Sequence, residues 1–453
     1  MKNRLSINLP PGTEAEKAGD QVIGRLQEAG HLAYRVGGAV RDRLLGRVPH
    51  EVDVATDAAP AKVRELFPDT YAVGESFGVI IVHTDWGPDI EVATFREENG
   101  YADGRHPSEV HFSTPEKDAQ RRDFTVNGLF YDPRNSEVLD YAGGIDDLRK
   151  GIIRAIGNPA TRFEEDHLRM LRAVRFAATL NFKIEPSTYA ACRRQASAVN
   201  RISAERIFAE LSKMLTPGVA QPAFDLMQSV GLLREVLPEA EAMVGTEQPP
   251  QFHPEGDVWQ HTLIMLAMLR FPRPVLAWAT LLHDVGKPIT RQTGGDRIRF
   301  PKHAHKGAEL SRTILRRLKA PRWLIDGVYE CVRNHMAFMD VPNMKQSTLR
   351  RLIGRPTFPD ELELHRLDCR ASHGKLDNYV MLLDKMAEFS AEEPVPPPLI
   401  TGHDIKALGI PEGPEIGRLL RQVQDRQLEG KIKTGEEALA MVRALRRGTE
   451  STS

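Results

Sequence analysis

Hydrophobic and polar positions follow two regimes along the chain. In the first part, short apolar runs alternate with glycine, proline and charge. From Ala160 onward the apolar spacing is three and four, and the chain reads as nearly all helix. Thr13-Glu-Ala-Glu16 is a capping box, followed by Ala18, Val22, Ile23 and Leu26 at helical spacing. Gly30 ends that helix. Leu32, Tyr34 and Val36 alternate as in a strand, Gly37-Gly38 breaks it, and Ala39 to Leu45 reads as a short helix stopped by Gly46. A second strand carries Glu51 and Asp53, whose spacing sends both side chains to one face. Pro60 to Phe67 predicts a short helix with proline at its start. Ile80, Val82, Ile90 and Val92 predict a hairpin around Asp85-Trp-Gly-Pro88, with Glu91 on its second strand. Arg96 to Pro107 reads as a polar loop able to act as a lid. Tyr141 to Leu148 turns into a helix that closes the first domain.

In the helical part, Arg162 to Phe176 reads as a helix dense in arginine, with Asp166 and Arg169 neighbours on one face. Ser203 is placed to cap a helix carrying Arg206 and Glu210, although Arg206 is not the acid of a full capping box. Gly245 to Pro254 has three prolines and reads as a linker. Ile400 to Gly417 leads into an amphipathic helix, with Leu419, Leu420, Val423 and Leu428 on one face and Arg418, Arg421 and Arg426 on the other; such a face packs on a neighbour or tracks an RNA backbone. The expected class is α+β, a small sheet domain followed by an elongated all-helical region. The expected domains are 1–150, 151–245, 250–376 and a helical, RNA-binding tail, 377–453.

The 453 residues suffice for two to four domains. Charged residues make up 27% and the net charge is −1, so any nucleic-acid surface must be a local basic patch. Three widely separated cysteines, Cys192, Cys331 and Cys369, argue against a disulfide framework or zinc ribbon and suit a reducing cytosol. A cytoplasmic protein is expected. No apolar run reaches the roughly 18 residues that span a bilayer, and Met1 to Pro11 lacks the apolar core of a signal peptide.

Two constellations carry chemistry. A strand, a glycine pair and a helix place backbone N–H groups where a phosphate is welcome. Beside them, Glu51, Asp53 and Glu91 are the oxygen ligands that a Mg²⁺-dependent nucleotidyl transfer requires. Singly these features are weak, since an acidic pair on a strand is usually a solvated face; their order and closeness strengthen them. Arg121-Arg-Asp-Phe-Thr-Val-Asn127 offers two guanidiniums and an amide for triphosphate and ribose. A carboxylate beside a guanidinium, as in Asp166 and Arg169, matches the amino donor and ring-nitrogen acceptor shared by cytosine and adenine. The second constellation is His261, His283-Asp284, His303, His305, His335 and Asp368 on successive helices, a His/Asp metal set.

These residues resemble the class II tRNA nucleotidyltransferases, the bacterial CCA-adding enzyme and poly(A) polymerase family within the polymerase-β superfamily, and the resemblance covers nearly the whole chain. It implies a polymerase-β-like head and a helical body that includes an HD phosphohydrolase domain. It implies that Gly37, Gly38 and Arg41 bind triphosphate and that Glu51, Asp53 and Glu91 are catalytic, with Mg²⁺ on Glu51 and Asp53. Arg122, Asp123 and Asn127 match the ribose motif, and Glu165, Asp166 and Arg169 the nucleotide-selecting helix, which Arg172 and Arg175 extend. Arg206 and Glu210 resemble the helix-supporting motif of the neck. His261, His283, Asp284, His303, His335 and Asp368 hold a divalent metal of unstated identity, His303 being preferred over His305 because it stands four residues before Gly307-Ala308. Many relatives have Asp where this chain has Glu51. The Asp103 and Arg105 loop is present, which in this family favours adenine addition. The implied partners are CTP, ATP and the tRNA 3′ end, with no membrane. A poly(A) polymerase or A-adding enzyme stays open, as does an HD phosphohydrolase whose head only binds RNA.

Overall fold

The computed structural model describes residues 3–7, 12–49, 51–74, 78–84, 87–101, 107–251, 253–271, 273–294, 297–389 and 395–450. Contacts divide the chain into two units, Met1–Glu241 and Ala242–Ser453.

The first unit is built on a sheet of eight strands. They are β1 (Asn3–Ser6), β2 (Ala33–Val36), β3 (Asp53–Thr56), β4 (Thr70–Gly74), β5 (Val79–Val82), β6 (Ile90–Thr94) and, past a separate hairpin of β7 (Arg96–Tyr101) and β8 (Pro107–Phe112), β9 (Leu129–Asp132) and β10 (Glu137–Asp140). The order is β1-β10-β9-β2-β3-β6-β5-β4. Only the β3–β6 pair is parallel, and its register sets Asp53 opposite Glu91. Helix α1 (Glu14–Glu28) covers one face through Ala18, Val22, Ile23 and Leu26, which pack with Val54, Ile80, Val82, Ile90 and Val92. Thr13 caps it in a reciprocal capping box with Glu16. Glu16 also reaches Arg35 of β2 at 2.8 Å, and Arg43 of α2 (Gly38–Leu44). Helix α1, the central strand β2 and helix α2 are thereby tied to one buried carboxylate. Tyr34, Val36, Ala55, Phe95, Phe130 and Leu139 form the core on the opposite face. Helix α3 (Pro60–Leu66) adds Val63 to the first of these cores and α4 (Pro115–Arg121) adds Ala119 to the second. Helix α5 (Gly144–Lys150) follows, and then the helical body with α6 (Pro159–Glu165), α7 (Leu168–Leu180), α8 (Pro186–Gln195), α9 (Ala204–Met214), α10 (Ala220–Ser229), α11 (Leu232–Val236) and α12 (Pro238–Glu241).

Several expectations are corrected here. Residues 96–101 and 107–112 are not loop but the strands of the β7–β8 hairpin; Asp103 and Arg105 lie outside the described residues. β2 is buried along its whole length rather than on alternate residues, and Leu32 lies just before it with 47% exposure. Both sheet faces are covered, so alternation carries no signal. Glu51 precedes β3 rather than lying on it. The arginine-rich helix is two helices, interrupted at Asp166 and His167. Ser203 occupies the N-cap of α9 without a side-chain bond to the helix.

The second unit is helical: α13 (Val258–Ala267), α14 (Pro274–Leu282), α15 (Lys287–Thr290), α16 (His303–Arg317), α17 (Arg322–Asn334), α18 (Gln346–Ile353), α19 (Phe358–Ala371), α20 (Asp377–Phe389), α21 (Gly402–Ala407), α22 (Pro414–Leu428) and α23 (Gly435–Glu450). A core of Phe338, Leu352, Phe358, Leu362, Leu382 and Phe389 joins α18, α19 and α20. The tail helices have their own core of Ile405, Ile416, Leu419, Val423, Ala438 and Val442. The stretch read as a linker is packed structure: Gln248 is buried and accepts a bond from Lys287 Nζ at 2.6 Å. Among the described residues no helix is long and apolar enough to cross a membrane.

Candidate active site and metal centre

A cleft of about 510 Å³ opens in the first unit between the Gly37-Gly38 turn, the strand β3 and helix α7. Gly37 sits at φ +71°, where glycine is favoured, and a Cβ there would lie 3.2 Å from Arg122 Nη1. Its N–H is donated to Leu129 O at 3.1 Å, so it is not free for phosphate. Gly38 and the next residues of α2 are the ones whose N–H groups lack an intrahelical acceptor.

Glu51 and Asp53 line this cleft; Glu91 faces the same side of the sheet from β6. Asp53 keeps solvent access, yet its carboxyl is pushed up to about 6 by desolvation and then by the negative charges of Glu91 and Glu51, against the pull of Arg122. A carboxyl raised first by desolvation and then by two neighbouring carboxylates fits a cation site. Among the described residues these three do not bring ligand oxygens within 4.8 Å of one another, as the histidine clusters do.

The other residues form a chain of fixed partners. Arg41, 8% exposed, donates to Asn127 Oδ1 at 2.6 Å and pairs with Asp42. Asn127 Nδ2 donates to Asp123 Oδ1 at 3.1 Å, and Arg172 reaches Asp123 Oδ2 at 2.6 Å. Burial alone would raise the Asp123 carboxyl, but Arg172 and Asn127 hold it at about 2. Arg122 is held by buried Asp118 at 3.0 Å. Asp166 and Arg169, expected side by side on one helix, each turn to a different partner. Arg169 binds Glu165 at 2.6 Å, whereas Asp166 binds Arg206 at 2.8 Å. Arg175 binds Glu210 at 2.6 Å, so Arg206 and Glu210 each hold one residue of the cleft. Phe176 carries no local signal of a site residue, yet its ring lies under Arg41, Arg172 and Arg175, with the Arg175 guanidinium 4.2 Å from its centroid. Nor were Asp118 and Lys213 anticipated; Asp118 stands one helical turn before Arg122, a spacing that could have signalled it.

In the second unit, His261 comes from α13, Asp368 from α19, His283-Asp284 from the turn after α14, His303 from the start of α16 and His335 from the residue after α17. They form two touching groups. His261, His283 and Asp368 are one, and Asp284, His303 and His335 the other, each with ligand atoms within 4.8 Å. His303 Nε2 lies 3.2 Å from His335 Nε2 and 3.6 Å from Asp284. His305 is exposed and outside both groups. Gly286 and Gly307 permit this assembly, because a Cβ on Gly286 would meet His303 O at 2.3 Å and Gly307 N at 2.6 Å. The buried Nε2 atoms of His261 and His283 make no well-aligned hydrogen bond and lie against carboxylates, Asp368 at 3.2 Å and Asp284 at 3.1 Å. Burial, with His303 next, lowers His335 to about 3 and so keeps it neutral. Burial would lower His261, but Asp368 and Glu255 raise it to about 9. A neutral His335, the surrounding carboxylates and Nε2 atoms that meet only carboxylates fit a divalent metal. A cavity of about 290 Å³ opens on this centre, lined also by Lys287, Phe300, Met336, Met339 and His365.

A family model described as the poly A polymerase head domain matches residues 33–154. A model for the probable RNA and SrmB-binding site of polymerase A matches residues 181–244, and the HD domain model residues 257–372. The CCA-adding enzyme of Lactobacillus johnsonii is 32% identical over 442 residues, 95% of this chain and 97% of that protein. Poly(A) polymerase I of Salmonella typhi is 44% identical over 230 residues, 48% of this chain; the match spans about half, 49%, of that relative. The solved structure of the Bacillus stearothermophilus CCA-adding enzyme in complex with CTP has a TM-score of 0.75 at 27% identity, covering 97% of this chain and 100% of that one.

Proposed function

The chain belongs to the tRNA nucleotidyltransferase and poly(A) polymerase family, and on that footing we propose that it adds CMP and AMP, from CTP and ATP, to the 3′ end of tRNA without a nucleic-acid template. The observation that carries this reading is the extent of likeness. Similarity to a CCA-adding enzyme runs through 95% of the chain.

Glu51, Asp53 and Glu91 would hold Mg²⁺, which supplies positive charge to the attacking and leaving oxygens. Gly38 and Arg122 face the triphosphate. Asp123 and Asn127, locked by Arg172 and Arg41, orient the ribose. Asp166 and Arg169 select the base. Each is immobilised by another residue, Arg206 and Glu165 respectively, so their remaining polar atoms are set before a nucleotide arrives. Cytosine and adenine satisfy a fixed acceptor beside a fixed donor; guanine and uracil leave buried polar groups unpaired and are rejected.

The 44% identity in the matched half favours a second reading, a poly(A) polymerase. One experiment separates the two. The chain is given CTP and ATP with tRNA lacking CCA, tRNA ending in CC, or a generic oligonucleotide, and products are sized. CCA completion of both tRNAs with no extension of the oligonucleotide is expected; a long adenylate tail on the oligonucleotide favours the second reading. Asp53→Ala abolishes all incorporation, and retained activity refutes the assigned metal site.

For the HD unit the same footing supports a divalent-metal phosphohydrolase. His261, His283 and Asp368 would hold one ion, and Asp284, His303 and His335 a second. Bound metal there supplies an activated water. Lys287, 2.7 Å from Asp284, brings a positive charge to the cavity for a phosphate group.

A further inference from the structure

Four imidazoles of the HD unit turn Nε2 toward the two ligand groups, and each is held from behind through Nδ1. For three of them the holder is a backbone carbonyl three residues earlier. His283 Nδ1 lies 2.9 Å from Thr280 O, His303 Nδ1 2.9 Å from Phe300 O, and His335 Nδ1 2.6 Å from Val332 O. These histidines stand at helix ends, where carbonyls and approach angles are available to almost any sequence. His261 differs. It lies within α13, fully buried, and the carbonyl four residues back, Asp257 O, already accepts the His261 backbone N–H at 3.1 Å. Its Nδ1 meets a side chain instead, Glu255 Oε1 at 2.6 Å. The same oxygen receives His253 Nδ1 at 2.9 Å, and the His253 ring stands edge-on to His261 with centroids 5.1 Å apart.

We propose that Glu255 is a positioning residue of the metal centre: its carboxylate fixes His261 with the proton on Nδ1, so that Nε2 is the ligand beside Asp368. This rests on the metal-centre reading above. Geometry supports it on both sides of the ring. His261 Nε2 is 3.2 Å from Asp368 Oδ1, on the ligand side. Glu255 is 7% exposed and its other oxygen has no partner, so a buried carboxylate is spent on two imidazoles. Both ring nitrogens face a carboxylate, but Glu255 is the nearer, at 2.6 Å against 3.2 Å, and Asp368 belongs to the ligand group. The hydrogen on the Glu255 side leaves the Nε2 lone pair for a metal. A carboxylate acceptor also makes the imidazole a stronger donor than a carbonyl does. His253, a lining residue of the cavity, is tied to His261 through one Glu255 oxygen.

The test is Co²⁺ binding by the full chain, followed by the visible absorption of the bound ion. The component lost in His283→Ala is the HD site. Glu255→Ala is expected to bind Co²⁺ there about 10- to 100-fold more weakly, with an altered absorption band. Glu255→Gln keeps an oxygen in place and recovers part of that loss. Circular dichroism and the thermal midpoint in chelator identify a variant that has merely failed to fold, and Glu255→Gln is the less disruptive of the two. Wild-type affinity and absorption in both variants overturn the proposal. Equal Co²⁺ binding by the unmutated chain and His283→Ala overturns the metal centre itself.

Discussion

Asp123 illustrates how a single side chain is made ready by its neighbours. Burial works against its charge, and Arg172 and Asn127 more than compensate, holding the carboxyl at about 2. A carboxyl whose folded value lies below its ordinary 3.8 stabilises the fold above that ordinary value and ceases to do so as pH falls through about 2. The difference amounts to about 2 kcal/mol at neutral pH. Asp123→Asn is therefore expected to lower unfolding stability by about that much at pH 7. The gap should narrow as pH falls from 4 toward 2, as read by parallel urea titrations. At this scale residue types are legible in the chain and distant partners are not. Arg169 with Glu165 is one helical turn apart and was readable; Asp166 with Arg206 joins residues 40 apart and was not. Glu255 stood inside a stretch whose prolines drew the eye to a linker.

Elements were legible where one local signal dominated. The capping box at Thr13, the Gly46 stop and the hairpin around residue 85 needed no long-range information. They failed where pairing partners decided. Residues 96–101 carry Glu97, Glu98 and Asn99, poor strand formers, and become a strand because residues 107–112 pair with them. The break at Asp166 was hidden because the flanking apolar positions keep helical spacing through it. Close approach is another element-scale property. The turn carrying His283 and Asp284 rests on α16 because Gly286 has no side chain. Gly286→Ala is expected to push that turn away, costing about 1–3 kcal/mol in urea unfolding and weakening metal uptake measured by equilibrium dialysis.

Across the whole molecule, the sequence order of motifs foretold a nucleotide-handling sheet domain followed by helices with a histidine centre. It left unread which residues close each site, because closure depends on packing. The nucleotide cleft is lined entirely by residues of the first unit and the histidine cavity entirely by residues of the second. Chemistry in the two is expected to be separable. Asp53→Ala should abolish nucleotide incorporation and leave Co²⁺ uptake by the histidine centre intact, and His283→Ala should do the reverse. Both are measured on the intact chain with radiolabelled ATP and with Co²⁺ absorption. A single variant that loses both would contradict this division.

The packed stretch ahead of α13 has a practical corollary for anyone who wishes to excise the HD unit. The HD model begins its match at residue 257. A fragment cut there would leave behind Gln248, His253 and Glu255, stripping Lys287 of its amide contact and His261 of the group behind its ring. A cut at Ala242, where the contact boundary falls, retains all three.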